Sequence, residues 1–346
     1  MEQFDVIILG AGPAGLKCAE LLGGTDLQVA VYEKSPVVGP KECAGGITSF
    51  VDLPGDLLKE AVSFNRHYVV LNGKRFVVEA DDPLRIIDRT ALAEFQLGLL
   101  KDHSNVKVKM GRRVVRIVKG ADTDSIDENQ YHERGGYIVT SDGERAGFDL
   151  LVGADGSQSL TRKFLGLESR YYIGAHYRIP FVFDRVLWYL NPEKLGLGYC
   201  WLFPHSNFTS CGVYFDPDRV SYSNSRKVLC DMLDEYGLDY RGKQLKAFPV
   251  NCLYSGFKFD NIYLCGDAAG LAFPLTGEGI STALVSGAHT ARDILGARDG
   301  CGQFEFILRR KKKERFLMEF NLIKNHYIQS LLFRLYIYSL RVKLPN

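Results

Sequence analysis

Near its start the chain runs through Phe4 to Leu9 (FDVIIL), stops in GAGPAG, and passes into an apolar-periodic stretch that reaches Leu22. No other feature restricts the fold as much. A short, continuous apolar run bounded by glycines suits a parallel strand buried on both faces. Gly10, Gly12 and Gly15 then form G-x-G-x-x-G, with Pro13 and Ala14 between the last two. The first glycine allows a tight turn, the second lets a pyrophosphate approach the backbone, and the third lets helix and strand pack closely. The helix that follows offers unpaired N–H groups and a partial positive charge to that ligand. A second apolar run, Leu27 to Tyr32, ends in Glu33 and Lys34. Glu33 is placed to accept hydrogen bonds from a ribose diol. Together these residues predict a βαβ dinucleotide-binding unit and an α/β fold.

With 346 residues, the chain is long enough for two lobes. From residue 171 to 255 the texture changes to alternating strands rich in Tyr, Phe and Trp, with one helix near 223–236, and an antiparallel sheet is expected there. Residues 67–80 read as a hairpin turning at Asn72-Gly73. A helix is expected over 89–101, capped by Asp88. Short strands are expected at 105–109, 112–119 and 136–141, around the polar stretch ADTDSIDENQYHERGG, read as an exposed loop. The expected organisation is a discontinuous Rossmann-type domain (1–66, 85–170 and 255–302), an inserted sheet domain (67–84 and 171–254) and a basic helical tail (303–346). The tail holds ten Lys or Arg against three Glu, whereas the whole chain carries a net charge of only +2. That balance gives no reason to expect nucleic acid as a partner.

Eight cysteines at 18, 43, 200, 211, 230, 252, 265 and 301 form no CxxC pair, and the histidines show no metal-ligand spacing. Reduced thiols, a cytoplasmic setting and no bound metal are the expectation. No stretch reaches about 18 uninterrupted apolar residues, so any membrane contact is expected to be peripheral.

Two later turns identify the dinucleotide. GADGSQS (153–159) follows one apolar run and GDAAG (266–270) another, each presenting an Asp beside glycine. With the first turn, they resemble the flavoprotein class that includes para-hydroxybenzoate hydroxylase, which implies FAD. In that class the GD motif's carboxylate, here Asp267, binds the flavin's ribityl and pyrophosphate region, and Arg89 resembles the arginine that contacts the cofactor. The chain contains a single G-x-G-x-x-G, so a second nucleotide domain for a reductant is not evident. An external electron donor is expected, whether NAD(P)H, a ferredoxin or a deazaflavin.

Three further stretches sharpen the resemblance: KECAGG (41–46), YCWLFPHSNFTSCG (199–212) and GDAAGLAFPLTGEGI (266–280). They are similar to the geranylgeranyl reductase family, flavoproteins that saturate isoprenoid double bonds. The resemblance spans most of residues 4–295. It implies a cofactor set that takes in Cys43, Ala44, Gly45, Val114, Asp155, Gly266, Asp267, Pro274, Gly277, Glu278, Gly279 and Ile280, and places Cys43 on the flavin's reacting face. The sequence departs from the family at His205, where its pattern has lysine, and at Gly212-Val213-Tyr214, which lacks the second glycine. The C-terminal region is expected to offer little material for closing a long lipid tunnel.

Residue chemistry supports these assignments. Thr276 to Gly279 are expected to open a helix whose N-terminus can stabilise negative charge at N1–C2=O of a reduced flavin. Tyr199, Trp201 and Phe203 alternate on one strand and share a face, which either lines an apolar cavity or forms plain sheet core. Cys43, Tyr199 and His205 are candidate acids, with Trp201 beside them as a further catalytic candidate. The tail's RRKKKERF and LLFRLYIYSLRVK mix cationic and apolar residues, a pattern suited to an anionic membrane surface or to packing on the first domain. The expected activity is reduction of isoprenoid C=C bonds by hydride from flavin N5. An aromatic monooxygenase and a non-catalytic flavin-binding redox sensor stand as alternatives.

Overall fold

Two β-sheets organise the molecule, and the apolar runs of the sequence build the centre of the first. The computed structural model describes every residue except 40, 48–50, 52, 121–134, 298–300, 320–324, 340–341 and 344–346. The polar stretch expected to form an exposed loop lies almost wholly outside the described residues. In the first sheet, strand Glu2–Leu9 pairs in parallel with Arg145–Gly153 on one side and Val29–Tyr32 on the other. Ile262–Leu264 and Val106–Lys109 extend it, also in parallel. Val6, Ile7 and Ile8 are wholly buried. Alternation along the strand explains why. Val6 and Ile8 face helix Pro13–Leu22, packing with Leu16 and Ala19, while Ile7 and Leu9 face an antiparallel ribbon with Ile117, Ile138 and Phe148. Each buried Val or Ile contributes about 1.5–3 kcal/mol, so both faces hold the strand in register.

Gly15 permits a close backbone approach in this lobe. A Cβ there would lie 2.0 Å from the Gly10 carbonyl oxygen, so any side chain would drive helix from strand. Gly287 is a second such point. It sits in helix Ile280–Ile294, where a Cβ would meet the Ala14 carbonyl at 2.2 Å.

The second sheet runs in the order Lys246–Asn251, Tyr171–Ile179, Thr209–Phe215, Tyr199–Pro204, Val186–Leu190, Val62–Leu71, Lys74–Ile86 and Val342–Lys343. The hairpin turns at Asn72 and Gly73, both at positive φ (49° and 79°), the turn that matches strand twist. Its strands are longer than the sequence pattern suggested, from Val62 to Ile86. The expectation of an antiparallel sheet needs one correction: Val186–Leu190 lies parallel to Val62–Leu71. These strands come from distant stretches of chain, so no tight turn forces their direction. Helices Cys301–Glu319 and His326–Ser339 follow, and Val342–Lys343 joins the sheet edge.

Candidate functional site

A cavity of about 1840 Å³ follows the seam between the two sheets. At one end lies the glycine turn. Gly10 adopts φ 104°, and a Cβ there would stand 2.5 Å from the Ala154 carbonyl oxygen. Gly12 has open space where a side chain would project. Gly12, Pro13, Ala14 and Lys34 line the cavity, while Gly15 does not and serves packing instead. Glu33 also lines it, its two carboxylate oxygens accepting from the Ala11 and Ser35 N–H groups, each at 2.9 Å.

Along the wall stand two half-buried aspartates and a buried arginine. Asp155 accepts from the Leu160 and Thr161 N–H groups (2.7 and 3.1 Å) through one oxygen, while its other oxygen is buried without a partner among the described residues. Burial pushes its carboxyl up, against those bonds. Burial acts on Asp267 in the same sense, but Lys41 Nζ at 2.8 Å, the Ser157 hydroxyl at 2.9 Å and the Arg89 charge outweigh it and hold the carboxyl below its ordinary range. Arg89 is only 8% exposed, and its Nε has no hydrogen-bond partner among the described residues. An open glycine turn, a carboxylate at the strand end, a buried cation with an unused donor and an aspartate with an unused acceptor fit FAD. Glu33 would take the ribose, Gly10 to Ala14 the pyrophosphate, and Asp267 and Arg89 the region nearer the ring.

Beyond them the wall turns aromatic. Tyr199, Trp201 and Phe203 share a face as expected, and all three line the cavity with Trp188, Tyr214 and Phe248. Trp188 packs edge-on against Phe203 with ring centroids 4.9 Å apart, and Tyr199 lies 5.6 Å from Tyr214. Two tyrosine hydroxyls hold the PLTGEG segment: Tyr199 donates to the Thr276 carbonyl at 2.5 Å and Tyr214 to that of Pro274 at 3.0 Å. Burial raises the pKa of both phenols far up. The Tyr199 hydroxyl, expected as a candidate acid, is thus engaged by a backbone carbonyl. Pro274 itself is not among the lining residues; Gly277, Glu278, Gly279 and Ile280 are. Gly279 is the N-cap of helix Ile280–Ile294, so the helix end does open onto the cavity.

Cys43, Ala44 and Gly45 also line the cavity, as does Val114. The Cys43 sulfur accepts from the Gly45 N–H at 3.4 Å. His205 is not a lining residue. It stacks on Phe208 at 4.1 Å, directs Nε2 to the Ala44 carbonyl at 3.1 Å, and would collide with any side chain at Gly45. Burial pulls its pKa down to about 4, so the ring is neutral and supports the loop from behind rather than reaching the cavity.

Both C-terminal helices, of which little material for a tunnel was expected, contribute to the cavity wall, with charged Arg309, Arg310, Lys313 and Glu314 among the lining residues. Phe306, Leu317, Met318, Leu332, Phe333 and Ile337 all line the cavity. Helix Cys301–Glu319 is fastened to the PLTGEG segment. Glu314 accepts from the Leu275 N–H at 3.1 Å, and Arg310 stacks on Phe273 at 3.8 Å while pairing with Glu278. The buried Lys311 donates to the carbonyls of Ala272 (2.6 Å) and Cys252 (3.1 Å), and burial pulls its pKa down to about 8. Tail charge is therefore partly structural.

Sequence reasoning did not assign Lys41, Ser157, Tyr214 or Lys311. Ser157 lay within a motif already singled out, GADGSQS, and could have been found there. The others act through contacts 38 to 226 residues distant in sequence, which no local pattern signals. Among the described residues no group of His, Cys, Asp or Glu could hold a metal ion, the cysteines are free, and no helix is long and apolar enough to cross a membrane.

Comparison with known proteins agrees with this geometry. Residues 108–300 match the family described as FAD binding domain. The chain is 26% identical over 328 residues to an uncharacterised protein of Methanosarcina barkeri (91% of this chain, 80% of that one). It is also 26% identical to digeranylgeranylglycerophospholipid reductase 1 of Methanosphaera stadtmanae (83% and 74% covered). Among solved structures, a geranylgeranyl bacteriochlorophyll reductase-like protein of Thermoplasma acidophilum superposes with a TM-score of 0.70 at 19% identity, covering 96% of this chain and 87% of that one. The p-nitrophenol 4-monooxygenase PnpA of Pseudomonas putida does so at 0.68 and 17% (99% and 95% covered). Both share the fold. The family match covers more than half of the chain, including the GADGSQS and GDAAG turns: the chain belongs to the FAD binding domain family and is an FAD-dependent oxidoreductase.

Proposed function

We propose that the protein reduces C=C bonds of an isoprenoid chain. The observation that carries this reading is the continuity of the cavity, from the glycine turn past Cys43 and the aromatic wall to the apolar side chains of both C-terminal helices. Such an elongated shape suits a long, methyl-branched apolar chain better than a compact aromatic ring. The relative of known name from Methanosphaera stadtmanae points the same way.

Reduced FAD supplies a hydride from N5; the chain's own residues must do the rest. An isolated alkene has nothing that withdraws electrons from it, so water has to be excluded and the bond held against the donor. Trp188, Trp201, Phe203 and Tyr214 form the dry wall that does this, and the hydroxyls of Tyr199 and Tyr214 fix the PLTGEG segment opposite. Of the acids considered, Tyr199 is bound to Thr276 and His205 lies off the cavity. Cys43 is left as the proton source at the second carbon. Electrons arrive from an external carrier.

In the same reading, the tail serves as a peripheral contact with an anionic membrane. Phe316, Tyr327, Leu331 and Leu335 are exposed on the two helices beside the exposed Lys312 and Lys313. Co-sedimentation with anionic but not neutral vesicles tests that contact.

The reaction is tested by incubating the FAD-loaded protein with dithionite and a geranylgeranyl-bearing lipid, without oxygen, and weighing the lipid. A gain of about two mass units per saturated bond is expected. An unchanged lipid, together with an oxygenated product from an aromatic compound in air, would replace the reading with a monooxygenase. Neither product would leave a flavin-binding redox sensor.

A further inference from the structure

Lys41 and Glu42 are neighbours in the chain, yet their side chains grip different halves of the molecule. Lys41 pairs with Asp267, beyond the end of the first sheet, at 2.8 Å. Glu42 reaches into the second sheet, where one oxygen lies 2.8 Å from His176 Nε2 and the other 2.6 Å from Lys246 Nζ. The contacts do not stop there. His176 Nδ1 is 2.7 Å from the Ser210 hydroxyl, and the Trp201 indole N–H donates to that same hydroxyl at 3.1 Å. His176 and Ser210 are 3% and 0% exposed.

Hydrogen-bond inventory gives this chain a direction. The indole can only donate and the carboxylate can only accept. With a neutral ring, Trp201 donates to Ser210, Ser210 to His176 Nδ1, and His176 Nε2 to Glu42, so every member is satisfied. Ser210, His176 and Glu42 stand in the order of a serine–histidine–carboxylate triad, but the serine is wholly buried, is held by the indole and does not line the cavity. The arrangement is built to hold, not to attack.

What it holds is the next residue. Glu42, Cys43 and Trp201 all line the cavity, Cys43 directly after the doubly anchored pair and Trp201 at the far end of the chain of bonds. We propose that Lys41 and Glu42 form a two-sided strap across the seam, and that His176, through Glu42, is a positioning residue that fixes Cys43 in the cavity wall. The catalytic consequence rests on the reductase reading above; the strap itself does not, and its test uses no lipid.

Two substitutions at His176 separate its two bonds. His176→Gln can place an amide donor near the Nε2 position and keep the Glu42 contact. His176→Asn can replace Nδ1 only, keeping Ser210 and releasing Glu42. The readout is the rate at which iodoacetamide alkylates Cys43 in the FAD-loaded protein, followed by peptide mass spectrometry, with Cys43→Ser as the blank and flavin absorbance and Tm as checks of folding. His176→Asn and Glu42→Gln should raise the rate at least about tenfold, the factor that accompanies loss of one charge-assisted hydrogen bond, while His176→Gln stays near wild type. Equal rates in folded wild type, His176→Asn and Glu42→Gln would overturn the strap. An equal rise in both His176 variants would overturn the assignment of the Glu42 bond as the one that matters. If the strap test succeeds and lipid reduction fails, the reductase reading falls alone.

Discussion

The two ends of the cavity are built by different means. The cofactor end is made of short, local motifs: the G-x-G-x-x-G turn, GADGSQS and GDAAG each supply a run of consecutive residues to one wall. The other end is assembled from residues delivered by many strands of the second sheet, by loops and by both C-terminal helices. Binding a dinucleotide depends on backbone groups and close approach, which glycine spacing records directly. Enclosing an apolar chain depends only on which side chains happen to face inward, and many sequences achieve that.

If this contrast is right, damage at the first end should be severe and specific. Gly12 has φ −81° and open space around its missing Cβ, so Gly12→Val should fold normally yet block the pyrophosphate. FAD affinity should fall on the order of 1,000-fold, ~4 kcal/mol, in a fluorescence titration with unchanged circular dichroism. A Gly12→Val protein that keeps its FAD would break the comparison at its firmest point. Gly287→Val tests packing behind the same end. With the Ala14 carbonyl 2.2 Å from the new Cβ, the two helices must separate, and denaturant unfolding should show a loss of about 3 kcal/mol.

At the other end, losses should be graded. Trp201→Ala removes one panel of the aromatic wall and leaves the glycine turn untouched. KM for a prenyl lipid should rise about tenfold, ~1.4 kcal/mol, with FAD affinity unchanged. The smallest effect concerns the buried Lys311, whose folded pKa of about 8 lies below its ordinary 10.5. Between these values the unfolded chain holds a proton that the folded chain has released, so stability should rise as pH rises through that window. Lys311→Met should flatten this slope, as measured by urea unfolding across that pH range; an unchanged slope would mean the ammonium is not buried as described.

Legibility followed the same division. Phe4–Leu9, the Asn72-Gly73 turn, the Asp88 cap and the inward face of Tyr199, Trp201 and Phe203 could all be read, because each rests on spacing within a few residues. The role of His205 could not: its exclusion from the cavity follows from stacking on Phe208 and from the glycine at 45, a contact across 160 residues. The lining role of the C-terminal helices was hidden for a related reason. Their charge left a membrane surface and packing on the first domain both open, and no local pattern shows that Lys311 and Glu314 turn inward to hold the PLTGEG segment.

The central claim is that one cavity brings a flavin and an isoprenoid chain together. Its most direct test is anaerobic stopped-flow mixing of the dithionite-reduced, FAD-loaded protein, freed of excess dithionite, with a geranylgeranyl lipid. The account predicts return of the oxidised flavin absorbance in step with lipid concentration, and loss of that response in Trp201→Ala at low lipid. A flavin that stays reduced with every prenyl lipid, yet reoxidises as soon as oxygen is admitted, would contradict it.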